Sequence, residues 1–362
     1  MSILDLPGRI ERLPDAARER IAGLFTIELV DGRTDPPPDL HAWLERQFGS
    51  VGAVRRQRVL RVTNRWTGEG SLFSPLRGRR PVTNGMVAAW QRQVEESRGD
   101  PFCDPERQTP ADTWGRVRGE RMITGANAAM YDAHHGVVVF AEHDPLAFDE
   151  ALVRELLDVG RAWAERSHEA DDAARNYLLI WNCGPRAGGS MIHGHAQVLL
   201  GRGRHYPLVE RVRRDALAYR AQTGGSYRDD LEACHRDLGL VVAEADGVTT
   251  YAALAPVKER ELVVAGPPGM DERDPSFADA VARLVVTARD ALGLRAFNLA
   301  LHRPPLAGDG WEDIGPAVHL VDRGDPGSTA SDIGAMELYA AAVIGSDPFD
   351  IAERLRAAFA AS

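Results

Sequence analysis

The sequence predicts an α+β chain made of two halves with the same plan, and three observations lead there. From Arg56 onward the chain reads as short strand-like runs separated by turn residues. Two long amphipathic stretches, Phe148 to about Ala170 and Phe277 to Leu294, supply helices with one apolar stripe each. The order strands, helix, strand occurs once in each half, as a repeat of architecture rather than of sequence.

Taken in order, residues 1–55 form an N-terminal extension, with a helix predicted over Asp15 to Leu24, a break at Asp35-Pro36-Pro37-Pro38 and a short helix over Leu40 to Phe48. Strand-like Val59-Leu60-Arg61-Val62-Thr63 then leads through the turn-rich Asn64–Gly70 into Ser71-Leu72-Phe73-Ser74-Pro75 and the basic Leu76-Arg77-Gly78-Arg79-Arg80-Pro81. Val137 to Phe140 reads as a strand, and His134-His135 before it as a solvated turn. After the first long helix, whose Leu152, Val153, Leu156, Leu157, Val159 and Trp163 are expected in the core, Tyr177-Leu178-Leu179-Ile180-Trp181 is a strand. Helices over Glu210 to Arg220 and Asp229 to Leu238 follow, then strands at Leu240–Glu244, Tyr251–Ala255, Glu261–Ala265 and Phe297–His302. The expected division is 1–55, 56–210 and 211–362.

Composition narrows the class. With 44% hydrophobic and 27% charged residues, this is a globular sequence, and no apolar run is long enough to span a bilayer. Neither a signal peptide nor a membrane partner is expected, so a cytoplasmic protein is the default. Three cysteines, Cys103, Cys183 and Cys234, argue against a disulfide framework. A net charge of −10 argues against a nucleic-acid partner and requires any anionic ligand to be held locally.

The stretch Asn182-Cys183-Gly184-Pro185-Arg186-Ala187-Gly188-Gly189-Ser190-Met191-Ile192-His193-Gly194-His195-Ala196-Gln197 carries the chemistry. Were the run from His193 a strand, His193, His195 and Gln197 would project together and Gly194, Ala196 and Val198 the other way. Gly188 and Gly189 leave backbone N–H groups open to an anion, and Ser190 adds a hydroxyl. Backbone donors, a hydroxyl, an amide and a neutral imidazole together suit a phosphate attacked by nitrogen, so nucleotidyl transfer is the natural reading.

The pattern Asn182-x-Gly184-x-x-Ala187-Gly188-Gly189-Ser190-x-x-His193-x-His195-x-Gln197 resembles the active-site signature of galactose-1-phosphate uridylyltransferases, the transferase branch of the histidine-triad superfamily. The resemblance runs from about Val59 to the C-terminus. It implies two histidine-triad-like domains, each an antiparallel sheet with packed helices. It implies that His195 is the nucleophile, that His193 is a metal ligand, and that Asn182, Gly189, Ser190 and Gln197 hold phosphates. Hydrolytic histidine-triad proteins carry a third His where this chain has Gln197, which favours transfer.

Other segments extend the resemblance. Ser74-Pro75-x-Arg77-x-x-Arg80-Pro81 matches a segment that places Arg77 and Arg80 at phosphates. At Asp100-Pro101-Phe102-Cys103 many relatives have Cys-Pro-x-Cys; with His143 and His193 this implies one zinc site of Asp100, Cys103, His143 and His193. Met122 to Tyr131 resembles a base-contacting segment in which Gly125-Ala126 replace an Asn-Asp pair and Asn127 substitutes. In the second half Glu337 matches a hexose-binding position, while His302 is read as a loop or core residue. The implied activity is ping-pong transfer of a nucleoside monophosphate between a nucleotide sugar and a sugar 1-phosphate, in a homodimer. Phosphorolysis of a nucleoside polyphosphate or nucleotide sugar by inorganic phosphate is the enzymatic alternative, and nucleotide binding without catalysis the non-enzymatic one.

Overall fold

The computed structural model describes residues 2–78, 86–328 and 331–361, with side chains from 90 onward in the helix Met86–Glu96. The fold is α+β. A four-stranded sheet has the order β1-β2-β3-β13, with β1 at Phe25–Arg33, β2 at Arg56–Asn64, β3 at Gly70–Phe73 and β13 at Ala342–Ile344. A nine-stranded sheet has the order β4-β5-β7-β6-β11-β12-β10-β9-β8. Its first half comprises β4 (Met122–Ala126), β5 (His134–Phe140), β6 (Ala174–Cys183) and β7 (His195–Arg202). The second half comprises β8 (Val241–Ala245), β9 (Val248–Ala252), β10 (Leu262–Ala265), β11 (Phe297–His302) and β12 (Ala317–Asp322).

Every neighbour pair in the large sheet is antiparallel. The two halves meet where β6 pairs with β11, each being the strand that follows a long helix. Around that seam β4-β5-β7-β6 answers β9-β10-β12-β11, so the same plan runs twice through one continuous sheet.

Alternation along the strands decides what the sheet faces. Ala196, Val198 and Leu200 of β7 and Tyr177, Leu179 and Trp181 of β6 are buried in one core with the apolar stripe of the helix Glu150–Ala170. That helix starts where Asp149 accepts the Leu152 N–H at 2.8 Å, a side-chain cap on an otherwise unpaired donor. The helices Pro275–Ala291 and Pro348–Ala361 continue this layer under the second half. The opposite face of β7 presents His195, Gln197 and Leu199.

The extension is part of the smaller layer. Helix Asp15–Leu24 forms as expected, and β1 continues from its end to pair along its whole length with β2. Ile3, Leu6, Ile21, Leu24 and Phe25 pack with β2, β3 and the helices Pro207–Thr223 and Tyr227–Leu238. The buried Asn64 amide donates to the Tyr227 hydroxyl at 2.7 Å, joining the layers. The basic stretch opens with a helical turn, Pro75–Gly78, because its proline starts a turn rather than a ladder. Two expectations need correction. β7 begins at His195 and not at His193. His134-His135 opens β5 instead of lying in a solvated turn, and His135 is fully buried.

Trp181 is the centre of the core beneath the site. It makes edge-on contacts with Phe140 (5.3 Å), Phe148 (5.0 Å) and Phe297 (5.0 Å), so it joins β5, the segment leading into the helix Glu150–Ala170 and the second half. Trp181→Ala is expected to cost about 3–5 kcal/mol of stability, the range for emptying a buried aromatic site. Urea unfolding followed by circular dichroism checks this; an unchanged midpoint would contradict it.

Candidate functional site

The glycine between the two histidines explains their positions. A Cβ on Gly194 would lie 2.9 Å from the Glu142 carbonyl oxygen and 2.9 Å from the Phe140 ring, so only glycine fits. Its carbonyl accepts the Phe140 N–H (2.9 Å) and its N–H reaches the His143 carbonyl (3.2 Å). The chain thus turns tightly against the end of β5, sending His193 and His195 to different neighbours. The small residue at this position serves the approach of protein backbone.

His195 is buried, with 6% of its surface exposed. Its Nδ1 lies 2.7 Å from the His193 carbonyl oxygen, an atom that can only accept, so Nδ1 carries the hydrogen. Nε2 is therefore the nitrogen with the lone pair, and it has no hydrogen-bond partner among the described residues. Burial pushes the imidazole pKa down, partly offset by the bond to the His193 carbonyl. The result is a neutral, oriented imidazole with one free nitrogen. The Phe102 ring stands edge-on to it at 5.1 Å.

Gln197, two residues along the same face, is joined to a residue that local sequence reading misses. His135 Nε2 lies 2.9 Å from Gln197 Oε1, and His135 Nδ1 accepts the Tyr131 N–H at 3.2 Å. With Nδ1 accepting, Nε2 holds the hydrogen and donates it to Oε1. The Gln197 NH₂ group is thereby left to face elsewhere. Burial depresses the His135 pKa and keeps the ring neutral. Asn127 joins this group, its Nδ2 at 3.2 Å from His135 Nε2 and its Oδ1 accepting the Ala129 N–H at 3.0 Å. The overlooked cue was alternation: extending the strand Val137–Phe140 back by two residues keeps His135 on the face of Val137 and Val139, and Val137 pairs with Gln197.

The glycine loop folds back over the end of β6. A Cβ on Gly189 would meet the Asn182 carbonyl at 2.7 Å and the Gly184 carbonyl at 3.1 Å. Asn182 Oδ1 accepts from Asn298 Nδ2 (2.7 Å), which also donates to the Ala187 carbonyl (2.7 Å). The second half thus fixes the loop of the first across the β6–β11 seam. Ser190 is exposed at the loop's end.

Behind His195 stands a possible metal-binding group. Ligand atoms of Asp100, Cys103, His143 and His193 all lie within 4.8 Å of one another. His193 Nε2 donates to the Phe140 carbonyl (2.8 Å) and His143 Nε2 to the Val94 carbonyl (2.9 Å), so both Nδ1 atoms are bare. These lone pairs face each other at 3.0 Å, with Cys103 Sγ at 3.4 and 3.7 Å from them. Asp100 Oδ1 caps the turn through the N–H groups of Phe102 (2.9 Å) and Cys103 (3.2 Å), while its Oδ2 is buried without a partner. Opposed lone pairs beside a thiol and an orphaned carboxylate oxygen are an arrangement that a cation relieves. Ligands around a tetrahedral zinc are about 3.3–3.7 Å apart, which this set approaches.

The remaining candidates lie elsewhere. Arg77 is exposed on the turn Pro75–Gly78, and Glu337 lies on the short helix Ala335–Tyr339, where its Oε2 accepts the Gly334 N–H at 2.8 Å. Both elements pack on β13, and neither side chain bonds to the His195 group. Arg80 lies outside the described residues.

With the geometry in place, comparison with solved structures is decisive for the fold. An ADP-glucose phosphorylase from Arabidopsis thaliana with bound ADP-glucose superposes with a TM-score of 0.61 at 17% identity, covering 80% of this chain and 96% of that one. A uridylyltransferase matches with a TM-score of 0.57 at 16% identity, covering 84% and 99%. The fold is that of the uridylyltransferases. A GalT-like protein from Arabidopsis thaliana shares this uridylyltransferase-like fold with a TM-score of 0.57 at 17% identity, covering 72% and 92%. No protein-family profile and no curated protein matches the chain in sequence. No helix among the described residues is long and apolar enough to cross a membrane.

The tight turn at Gly194 predicts that Gly194→Ala separates the two histidines from their backbone acceptors. Either β5 moves or the turn opens, and the histidine side-chain proton signals that report the Nδ1–H and Nε2–H hydrogen bonds are expected to vanish from the NMR spectrum. Their retention at wild-type shifts would contradict this account of the turn.

Proposed function

We propose that this protein transfers nucleoside monophosphate groups through a covalent intermediate on His195, with a nucleotide sugar as donor and a sugar 1-phosphate as acceptor. The observation that carries the reading is the His195 imidazole: neutral, with Nδ1–H held by the His193 carbonyl and Nε2 free. In the first half-reaction the Nε2 lone pair attacks the α-phosphorus. The N–P bond forms as the bond to the bridging oxygen breaks, and the sugar phosphate leaves with that electron pair. In the second, a phosphate oxygen of the acceptor attacks the same phosphorus and the imidazole departs with the N–P pair. The His193 carbonyl stabilises the positive charge that the ring carries in the intermediate.

The leaving group is a stabilised phosphate, so positioning and charge stabilisation account for the acceleration. The Gln197 NH₂ group, oriented by His135, and the N–H groups and hydroxyl of the Gly188-Gly189-Ser190 loop are assigned to the phosphate oxygens, with Asn182 holding the loop. Asn127, beside His135, is assigned to the nucleoside end. Asp100, Cys103, His143 and His193 would hold zinc, which supplies a structural cross-link between the Phe102 turn and the His193 turn. Arg77, Arg80 and Glu337 are assigned to a second subunit's site in a homodimer. The exposure of Leu338 (64%) and Tyr339 (87%) beside Glu337 supports a partner there.

A second reading, phosphorolysis with inorganic phosphate as acceptor, is favoured by the likeness to a phosphorylase whose structure holds ADP-glucose. Steady-state assays with each acceptor decide between them. Turnover with glucose 1-phosphate or galactose 1-phosphate but not with phosphate supports transfer, and the reverse supports phosphorolysis. His195→Ala is expected to abolish turnover with an unchanged unfolding transition; appreciable residual turnover would remove His195 from its role. Gln197→Ala is expected to lower kcat by about 10²-fold, as loss of one oxyanion donor does. Adding His135→Ala should then cost little more, because His135 acts through Gln197; independent, multiplying losses would contradict that coupling. Elemental analysis of the purified chain is expected to find about one zinc per chain, lost in Asp100→Ala/Cys103→Ala. Full zinc retention in that variant would sink the ligand assignment.

A further inference from the structure

A cavity of about 510 Å³ lies at the other end of β7 from His195. It is bounded by the start of β6, the residues that follow β7, the first turns of the helix Pro207–Thr223 and the loop after β11. β7 runs eight residues from His195 to Arg202, so its two ends, seven steps apart, are separated by about 23 Å at 3.3 Å per residue. This cavity therefore belongs neither to the His195 group nor to the metal-binding group.

Its lining is basic in an acidic chain. Arg175, Arg204, Arg213 and Arg214 face Glu210 and Asp309, an excess of two positive charges where the whole chain carries −10. Arg213 is already engaged: its Nε donates to Glu210 (3.0 Å) and its guanidinium lies over the Trp311 ring at 5.3 Å. Among the described residues, Arg175, Arg204 and Arg214 form no ion pair, and all three are exposed. Their guanidinium forks are available for bidentate contact with an oxyanion.

A buried donor without an acceptor adjoins these arginines. His205 is only 5% exposed and also lines the cavity. Its Nδ1 accepts the Tyr206 N–H at 2.8 Å, so Nε2 carries the hydrogen, yet Nε2 is buried with no partner. Burial lowers the pKa to about 4, so the ring is a neutral donor near pH 7. The helix Pro207–Thr223 starts here with no side-chain cap, and its Glu210, Arg213 and Arg214 line the cavity.

We propose that this cavity is a second phosphate-recognition site, holding the dianionic head of a phosphate monoester between Arg175, Arg204 and Arg214, with His205 as a further donor. The cavity is larger than a phosphate ion, and Trp311 offers apolar surface to the esterified group, which favours a monoester over free phosphate. The site is independent of the reaction assigned to His195.

Isothermal titration of the full chain with glucose 6-phosphate and, separately, with inorganic phosphate at constant ionic strength tests this. Wild type is compared with Arg175→Ala/Arg214→Ala, which removes two exposed side chains without ion-pair partners. The monoester is expected to bind the wild type with one event that weakens at least tenfold in the double variant, and His195→Ala should retain that event. Coinciding isotherms for wild type and double variant, or no binding to wild type, would overturn the site. Equal affinity for inorganic phosphate would overturn its assignment to a monoester. His205→Ala, tested in the same titration, should also weaken binding; unchanged affinity would remove His205 from the site.

Discussion

The contact between the Gly194 peptide and the end of β5 is the constraint on which the rest of the site depends. Two hydrogen bonds, one from the Phe140 N–H and one to the His143 carbonyl, hold the peptide where a side chain cannot fit. Because of it His193 turns towards Cys103 and His143, while its own carbonyl is left to receive the Nδ1 hydrogen of His195. One peptide therefore links the possible metal-binding group to the oriented His195 imidazole without either sharing a side chain with the other. Phe102, carried on the turn that Asp100 caps, stands edge-on to both rings and closes the space between them.

The continuous sheet explains how the two halves cooperate although only one bears the histidine pair. β6 and β11 pair directly, so Asn298 of the second half reaches Asn182 and the Ala187 carbonyl of the first. In the second half β12 occupies the place of β7, and its His319 bonds Glu261 at 2.9 Å instead of a backbone carbonyl. That imidazole is tied to a carboxylate, and the space beside it is lined by charged groups already paired with each other, such as Arg220 with Asp313 and Arg228 with Glu232. The plan repeats, but the chemistry does not.

How far the sequence could be read followed from how local each feature is. The helix Glu150–Ala170 and strand β11 were legible because their periodicity and flanking residues lie within the segment itself. His195 and Gln197 were legible for the same reason, being neighbours on one strand. β13 was not: it is three residues long and pairs with β3, about 270 residues earlier in the chain, so nothing near it marks it as a strand. β1 was missed because this edge strand exposes most of its residues, apolar Leu29 and Val30 included, and shows no clean alternation. Cys103 and His193 are 90 residues apart, and spacing alone does not bring them together; the resemblance nominated them and the fold places them side by side. His135 was misread because adjacent histidines before a strand look like a turn, and only the β5–β7 register shows that one of them meets Gln197.

The central claim is that the free nitrogen of His195 becomes bonded to phosphorus. Intact-protein mass spectrometry followed by peptide mapping, after brief incubation with a panel of UDP-, GDP-, ADP- and CDP-sugars, tests it most directly. The account predicts a mass gain of one nucleoside monophosphate, carried by the peptide containing His195 and absent from His195→Ala, with the mass naming the base. Turnover of a donor with the adduct on another residue, or an adduct that persists in His195→Ala, would contradict it.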